Sequence, residues 1–174
     1  MSDTSGAGNH ANGQAGAPQQ TAGGQPQLQV LAQYIKDLSF ENPQAPQSLQ
    51  MGKPALDVSV DVQARPIGVE QFEVILRIRA DANLNQATNP KVFVAELVYG
   101  GVFMMRGIPP EGVQPILLIE CPRILFPFAR QIVANITQAG GFPPLLLDPI
   151  DFAGLYRSQL QAQAQQGGAP VQQA

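Results

Sequence analysis

Residues able to act as nucleophile, base or metal ligand are few and far apart in this chain. The single histidine is His10 and the single cysteine is Cys121. A Cys/His nucleophilic pair needs the two groups within hydrogen-bond reach, and the Gly-, Ala- and Asn-rich surroundings of His10 give nothing to hold it there. The same two residues fall short of the ligand set of a zinc site. Cys121 reads as a small, partly buried residue beside a helix start. Its alternative is a reactive thiol, activated by the helix N-terminus. Gly23-Gly24 and Gly100-Gly101 are the glycine pairs that could suggest phosphate binding. Neither is followed by Lys-Ser or Lys-Thr, and neither opens a helix after a strand, so a P-loop is excluded. Gly100-Gly101 instead predicts a bend or bulge in a strand.

Asp37 and Glu41 are the remaining acid/base candidates. Their segment alternates like a strand, which sets them about 13 Å apart. Glycosidase carboxylate pairs sit roughly 5–9.5 Å apart, so these two line a face and share no proton. That face is either a plain solvated surface or an acidic docking surface for a basic partner.

The elements behind these residues follow from hydrophobic period. In 28–41, Leu28, Val30, Ala32, Tyr34, Leu38 and Phe40 point one way, with Lys36 the exception; Gln29, Gln33, Asp37, Ser39 and Glu41 point the other, interrupted by Leu31 and Ile35. Period two predicts a strand with one buried face. Residues 42–54 form a proline-punctuated crossover. Leu56, Val58, Val60 and Val62 alternate strictly with polar residues, and Phe72, Val74, Leu76, Ile78 and Ala80 give a third strand. Residues 92–99 are apolar on both faces except at Glu96, so this fourth strand wants cover on both. The period then becomes helical at Leu125, Ala129, Ile132, Val133 and Ile136, with Gly140-Gly141 as the stop. Pro127 must sit in the first turn of that helix or kink it. A shorter helix fits between Pro110 and Glu120, and Asp148 with Pro149 predicts the start of a last one. Strands followed by helices indicate an α+β fold with an antiparallel sheet.

Composition agrees with one domain. The chain has 174 residues and a formal net charge of −3, and its basic residues are scattered, which argues against a nucleic-acid surface. No window approaches the roughly 18 apolar residues of a membrane span. The start lacks the charged and apolar regions of a secretory signal. A lone cysteine forms no intrachain disulfide, as expected in a reducing cytosol. Residues 1–26 and 162–174 are expected to be disordered tails, the second beginning from about Gln161 as a fraying helix, and residues 1–26 carry too little apolar surface to offset the entropy of ordering.

Three ordered segments carry a family resemblance: YIKDLSFENPQAP from Tyr34, ELVYGGVF from Glu96 and CPRILFPFAR from Cys121. Across about 27–161 they resemble the SecB protein-export chaperones of Gram-negative bacteria. That resemblance implies a four-stranded antiparallel sheet with helices packed on one face, in a cytoplasmic homotetramer built as a dimer of dimers. It implies an ATP-independent holdase without cofactor or metal, whose clients are unfolded precursor proteins. It further implies SecA as the receiving partner, docked on an outer, acidic sheet face whose matching positions are Asp37, Glu41, Val94 and Glu96. Phe93 and the tetramer-interface candidates Ala95, Leu97, Tyr99, Leu117 and Leu118 fall on the opposite side or on the apolar ILLIECP segment. Candidates for an exposed client groove are Leu49, Met51, Leu56, Val58, Phe93, Phe126 and Phe152; Met51 suits varied partners because its thioether adapts. The family often carries a tryptophan in the crossover, and this chain has none. The alternatives are a SecB-like chaperone for another client, such as an antitoxin, uncoupled from SecA, or a non-catalytic oligomeric scaffold.

Overall fold

The computed structural model describes residues 25–84 and 91–166. The tail expectations for 1–24 and 167–174 lie outside the described residues. Four strands, β1 (Gln27–Glu41), β2 (Ala55–Gly68), β3 (Gln71–Asn83) and β4 (Lys91–Arg106), form one antiparallel sheet in the order β1-β4-β3-β2. A short 3-10 turn, Gln47–Gln50, sits in the crossover that carries the chain from β1 at one edge to β2 at the other. Helices α1 (Pro110–Pro115), α2 (Cys121–Ala139) and α3 (Phe152–Gln166) follow the sheet.

The strictly alternating segment makes β2, whose Val60 and Val62 face Ile78 and Leu76 of β3 on the helix side. β1 behaves differently. It carries two bulges against β4, between Val30 and Ala32 and between Ile35 and Asp37. Each bulge adds one residue and turns the following side chains over. Period two alone puts Tyr34 with Leu38 and Phe40. The structure places Tyr34 opposite Gly100 on the outer face, whereas Leu38 and Phe40 pair with Leu97 and Ala95 on the helix side. Leu31, Ile35 and Lys36, the apparent exceptions to the alternation, mark the two phase shifts. β4 pairs without a register break through Gly100 and Gly101. The bulges expected at these glycines therefore belong to the neighbouring strand.

The main core lies between the sheet and α2. Val74, Leu76, Ile78, Leu97 and Phe103 meet Leu117, Leu125, Ala129 and Val133 there, with Phe152 of α3 closing one end. α1 and α2 are one run of helical backbone joined by a π turn over Ile116–Glu120. The Cys121 amide bonds back five residues to the Ile116 carbonyl. This wider turn directly precedes Pro122, whose missing N–H and bulky ring disturb a regular ladder. Pro127 lies well inside α2, not in its first turn, and on its exposed side. α3 starts later than Asp148-Pro149 suggests. Its cap is Asp151, whose Oδ1 accepts the Gly154 amide at 2.9 Å. At its other end α3 reaches Gln166, so the helical start expected from about Gln161 runs through residues 162–166, which belong to α3 and not to a disordered tail.

Candidate functional site

Two surfaces stand out, one on each side of the sheet. The first is an apolar groove between the crossover with β2 and the segment joining α2 to α3. Leu49, Leu56, Val58 and Leu146 are 50, 46, 40 and 63% exposed, so this wall is open to solvent. One hollow of about 430 Å³ is lined by Leu49, Met51, Pro54, Phe142 and Pro143. A second, of about 420 Å³, is lined by Leu56, Val58, Leu145, Leu146 and Ile150. Beneath them lies an aromatic cluster. Phe93 sits 5.5 Å from Phe40 and 4.9 Å from Phe142, ring centroid to centroid.

Thr137 positions the far wall. Its hydroxyl, fully buried in α2, lies 3.0 Å from the Val133 carbonyl and accepts the Leu145 amide at 2.9 Å. The Phe142 amide bonds the Thr137 carbonyl at 3.2 Å. Gly141, at φ +89°, allows the turn that brings this segment back over the sheet.

Of the seven groove candidates, the structure brings Leu49, Met51, Leu56 and Val58 together. Phe93, Phe126 and Phe152 do not line it: they are 4, 8 and 1% exposed. Phe93 is the floor under the groove. Phe126 and Phe152 pack edge to face in the main core, 5.9 Å apart. The residues missed are Phe142, Leu145, Leu146 and Ile150. Their signal was the apolar FPPLLLDPI stretch, which prolines disguise as a plain connection.

The interface candidates need a similar correction. Ala95, Leu97, Tyr99 and Leu117 are already buried within their own subunit: Leu97, Tyr99 and Leu117 in the main core, and Ala95 beside Phe93 in the cluster under the groove. Such residues have no surface left to give a second copy. Leu118 alone among them is half-buried. Outside the groove, the large apolar side chains left open on this side include Ile35 and Leu38 of β1, Phe128 of α2 and Leu160 of α3.

The second surface is the outer sheet face. Register places Asp37 beside Val98, and Glu41 beside Val94, which in turn neighbours Asp81 and, through it, Asp57. One row further, Glu96 neighbours Arg79. All four docking candidates, Asp37, Glu41, Val94 and Glu96, thus share this face. Arg79 partly neutralises it. Its guanidinium binds Asp81 with two hydrogen bonds, of 2.6 and 2.9 Å, and also pairs with Glu96. The Arg79 bonds hold the Asp81 carboxyl below its ordinary range. Val94 is 6% exposed and offers little contact area.

Further along the same face, Glu73 is buried under three partners. The Tyr34 hydroxyl donates to its Oε1, Lys36 Nζ reaches that oxygen at 3.0 Å, and Arg65 Nε meets Oε2 at 2.5 Å. Tyr34 and Arg65 hydrogen bonds draw the Glu73 pKa down to about 2. Burial, reinforced by the hydrogen bond to Glu73, pushes Tyr34 up to about 12. Cys121 is fully buried, and burial with the nearby Glu120 charge raises its pKa to about 12. That is the opposite of an activated thiol.

A family model described as preprotein translocase subunit SecB matches residues 21–163. Protein-export protein SecB of Maricaulis maris is 54% identical over 141 residues, 80% of each chain. That of Bradyrhizobium sp. is 51% identical over 166 residues, 94% of this chain and 96% of the relative. A Mycobacterium tuberculosis SecB-like chaperone, solved with a peptide from an antitoxin, has a TM-score of 0.59 at 15% identity, over 71% of this chain and 91% of that one. That last likeness is one of fold.

Proposed function

The chain belongs to the SecB family of protein-export chaperones, and from that premise we propose that it is an ATP-independent holdase of the cytoplasm. The observation that carries this reading is the open groove, with Leu49, Leu56, Val58 and Leu146 each at least 40% exposed. An unfolded precursor supplies the cover those side chains lack. Burying about 400 Å² of apolar surface is worth about 10 kcal/mol gross, against association and ordering costs of about 4–15 kcal/mol. One groove therefore holds a client weakly. Several grooves on one assembly, sharing a flexible client, raise avidity by about 10²–10⁴ while each contact still releases readily.

The assembly in this reading is a homotetramer, a dimer of dimers. Ile35, Leu38 and Phe128 are the exposed apolar side chains for a second copy to cover. The receiving partner is SecA. Its basic tail docks on the outer face at Asp37, Glu41 and Glu96, around Val94, with Glu96 shared between the incoming cation and Arg79. Such contacts steer association and weaken with salt. No step of this cycle asks the chain for catalysis, and the high pKa of buried Cys121 suits that.

Native mass spectrometry with an unfolded precursor and a SecA tail peptide tests all three partners at once. The expected species is four subunits with a client and bound peptide. A lone subunit that takes up neither is the outcome that refutes the proposal.

A further inference from the structure

The second bulge of β1 adjoins Asp37, and the structure shows what holds it on each side. Tyr34 and Phe40 are six residues apart, so a regular strand would put both on one face. They lie on opposite faces. Phe40 is held on the helix side by Phe93 and Phe142, and its ring lies where a Cβ on Gly140 would be, 2.3 Å from two ring carbons. Tyr34 is held on the outer face by its hydroxyl bond to Glu73, two strands away, with its ring crossing Gly100. The chain meets both demands by absorbing one extra residue between Ile35 and Asp37. That residue, Lys36, also reaches Glu73, at 3.0 Å.

We propose that Glu73 is a positioning residue for the outer docking face: by gripping Tyr34 and Lys36 it anchors one side of this bulge, as Phe40 anchors the other, and so holds the adjoining Asp37 in place on that face. Glu73 need not touch the partner. Without it, the bulge keeps only its Phe40 anchor: Phe40 still sets the phase of 37–41, but the residues at the bulge lose a restraint. Asp37, next to the loosened bulge, is then less well placed for a partner, although the composition of β1 is unchanged. This inference rests on the reading of that face as the site for a basic tail.

The test uses the full chain with Glu73→Gln and, as a milder variant that keeps the ring, Tyr34→Phe. Two measurements are made on each: affinity for the SecA tail peptide, and hydrogen exchange of the β1 amides. Glu73→Gln is expected to bind the peptide about tenfold more weakly and to exchange faster over residues 35–41, with β3 and β4 protection retained. Tyr34→Phe is expected to move both in the same direction by less, and it carries the test if Glu73→Gln does not fold. Wild-type exchange over 35–41 in both variants overturns the proposal, as does wild-type peptide affinity. Charge reversal of Asp37 and Glu41 to lysine separates the two ideas. If reversal leaves peptide binding intact, the docking reading fails, and the exchange data alone decide the role of Glu73.

Discussion

The Tyr34 ring lies directly over Gly100: a Cβ added there would sit 2.7 Å from two ring carbons. No left-handed backbone is involved, so the glycine serves as space and not as a hinge. Gly101, beside it, does the same on the other face, where Leu125 and Phe103 occupy the room. Gly100→Ala should therefore destabilise by about 1–3 kcal/mol through overpacking. Urea denaturation measures it. Tyr34→Ala in the same chain should remove most of that penalty, since the two residues share one contact.

Glu73 gives stability a specific pH dependence. Its folded pKa, about 2, lies below its ordinary value of 4.5. A depressed carboxyl contributes stability that is fully present above the unfolded pKa and is lost as pH falls through the folded one. Between about pH 4.5 and pH 2 the wild type should lose stability faster than Glu73→Gln. Denaturation curves across that window read the difference; parallel curves would show that Glu73 gains nothing from Tyr34, Lys36 and Arg65.

Thr137→Val removes the hydroxyl that accepts the Leu145 amide at 2.9 Å and keeps the shape. Losing the partner of a buried donor costs about 1–3 kcal/mol. The groove wall formed by Phe142, Leu145 and Leu146 should loosen. Hydrogen exchange at the Leu145 amide should accelerate, and client affinity should fall without loss of the sheet.

Cys121 should be inert in the folded chain. Its thiol is fully buried and pushed up to about 12. Labelling with a thiol reagent at neutral pH should follow unfolding, rising with denaturant along the same curve as the circular dichroism signal. Rapid labelling of the native chain would contradict the burial.

Where one physical signal acted alone, the sequence was legible. β2 alternates strictly from Leu56 to Gln63, and it is a strand with Val60 and Val62 facing the helices. β1 misled at Tyr34, because its two bulges cancel: Leu28, Val30, Leu38 and Phe40 keep one phase while the segment between is inverted. What fixes that inversion is Glu73 on another strand, and local pattern cannot carry it. The start of α3 was misplaced because Asp148-Pro149 and Asp151 are both plausible starts, and only the Gly154 contact chooses. The outer-face grouping of Asp37, Glu41, Val94 and Glu96 was readable from parity together with the family resemblance. Which apolar residues stay open was not readable. Leu56 and Phe152 look alike as apolar residues in periodic segments, yet one is 46% exposed and the other 1%. That difference arises from how α3 and the 140–150 segment lie on the sheet.

The groove is best tested by placing charge where it is open. Leu56→Asp combined with Leu146→Asp alters two side chains that are 46 and 63% exposed, so the fold should persist. The measurement is the refolding rate of a slow-folding precursor mixed with wild-type or doubly substituted chain. Wild type should slow refolding strongly and the double variant should barely slow it, with unchanged secondary structure and assembly. Equal retardation by both chains would contradict the account, because the client would then be held somewhere other than this groove.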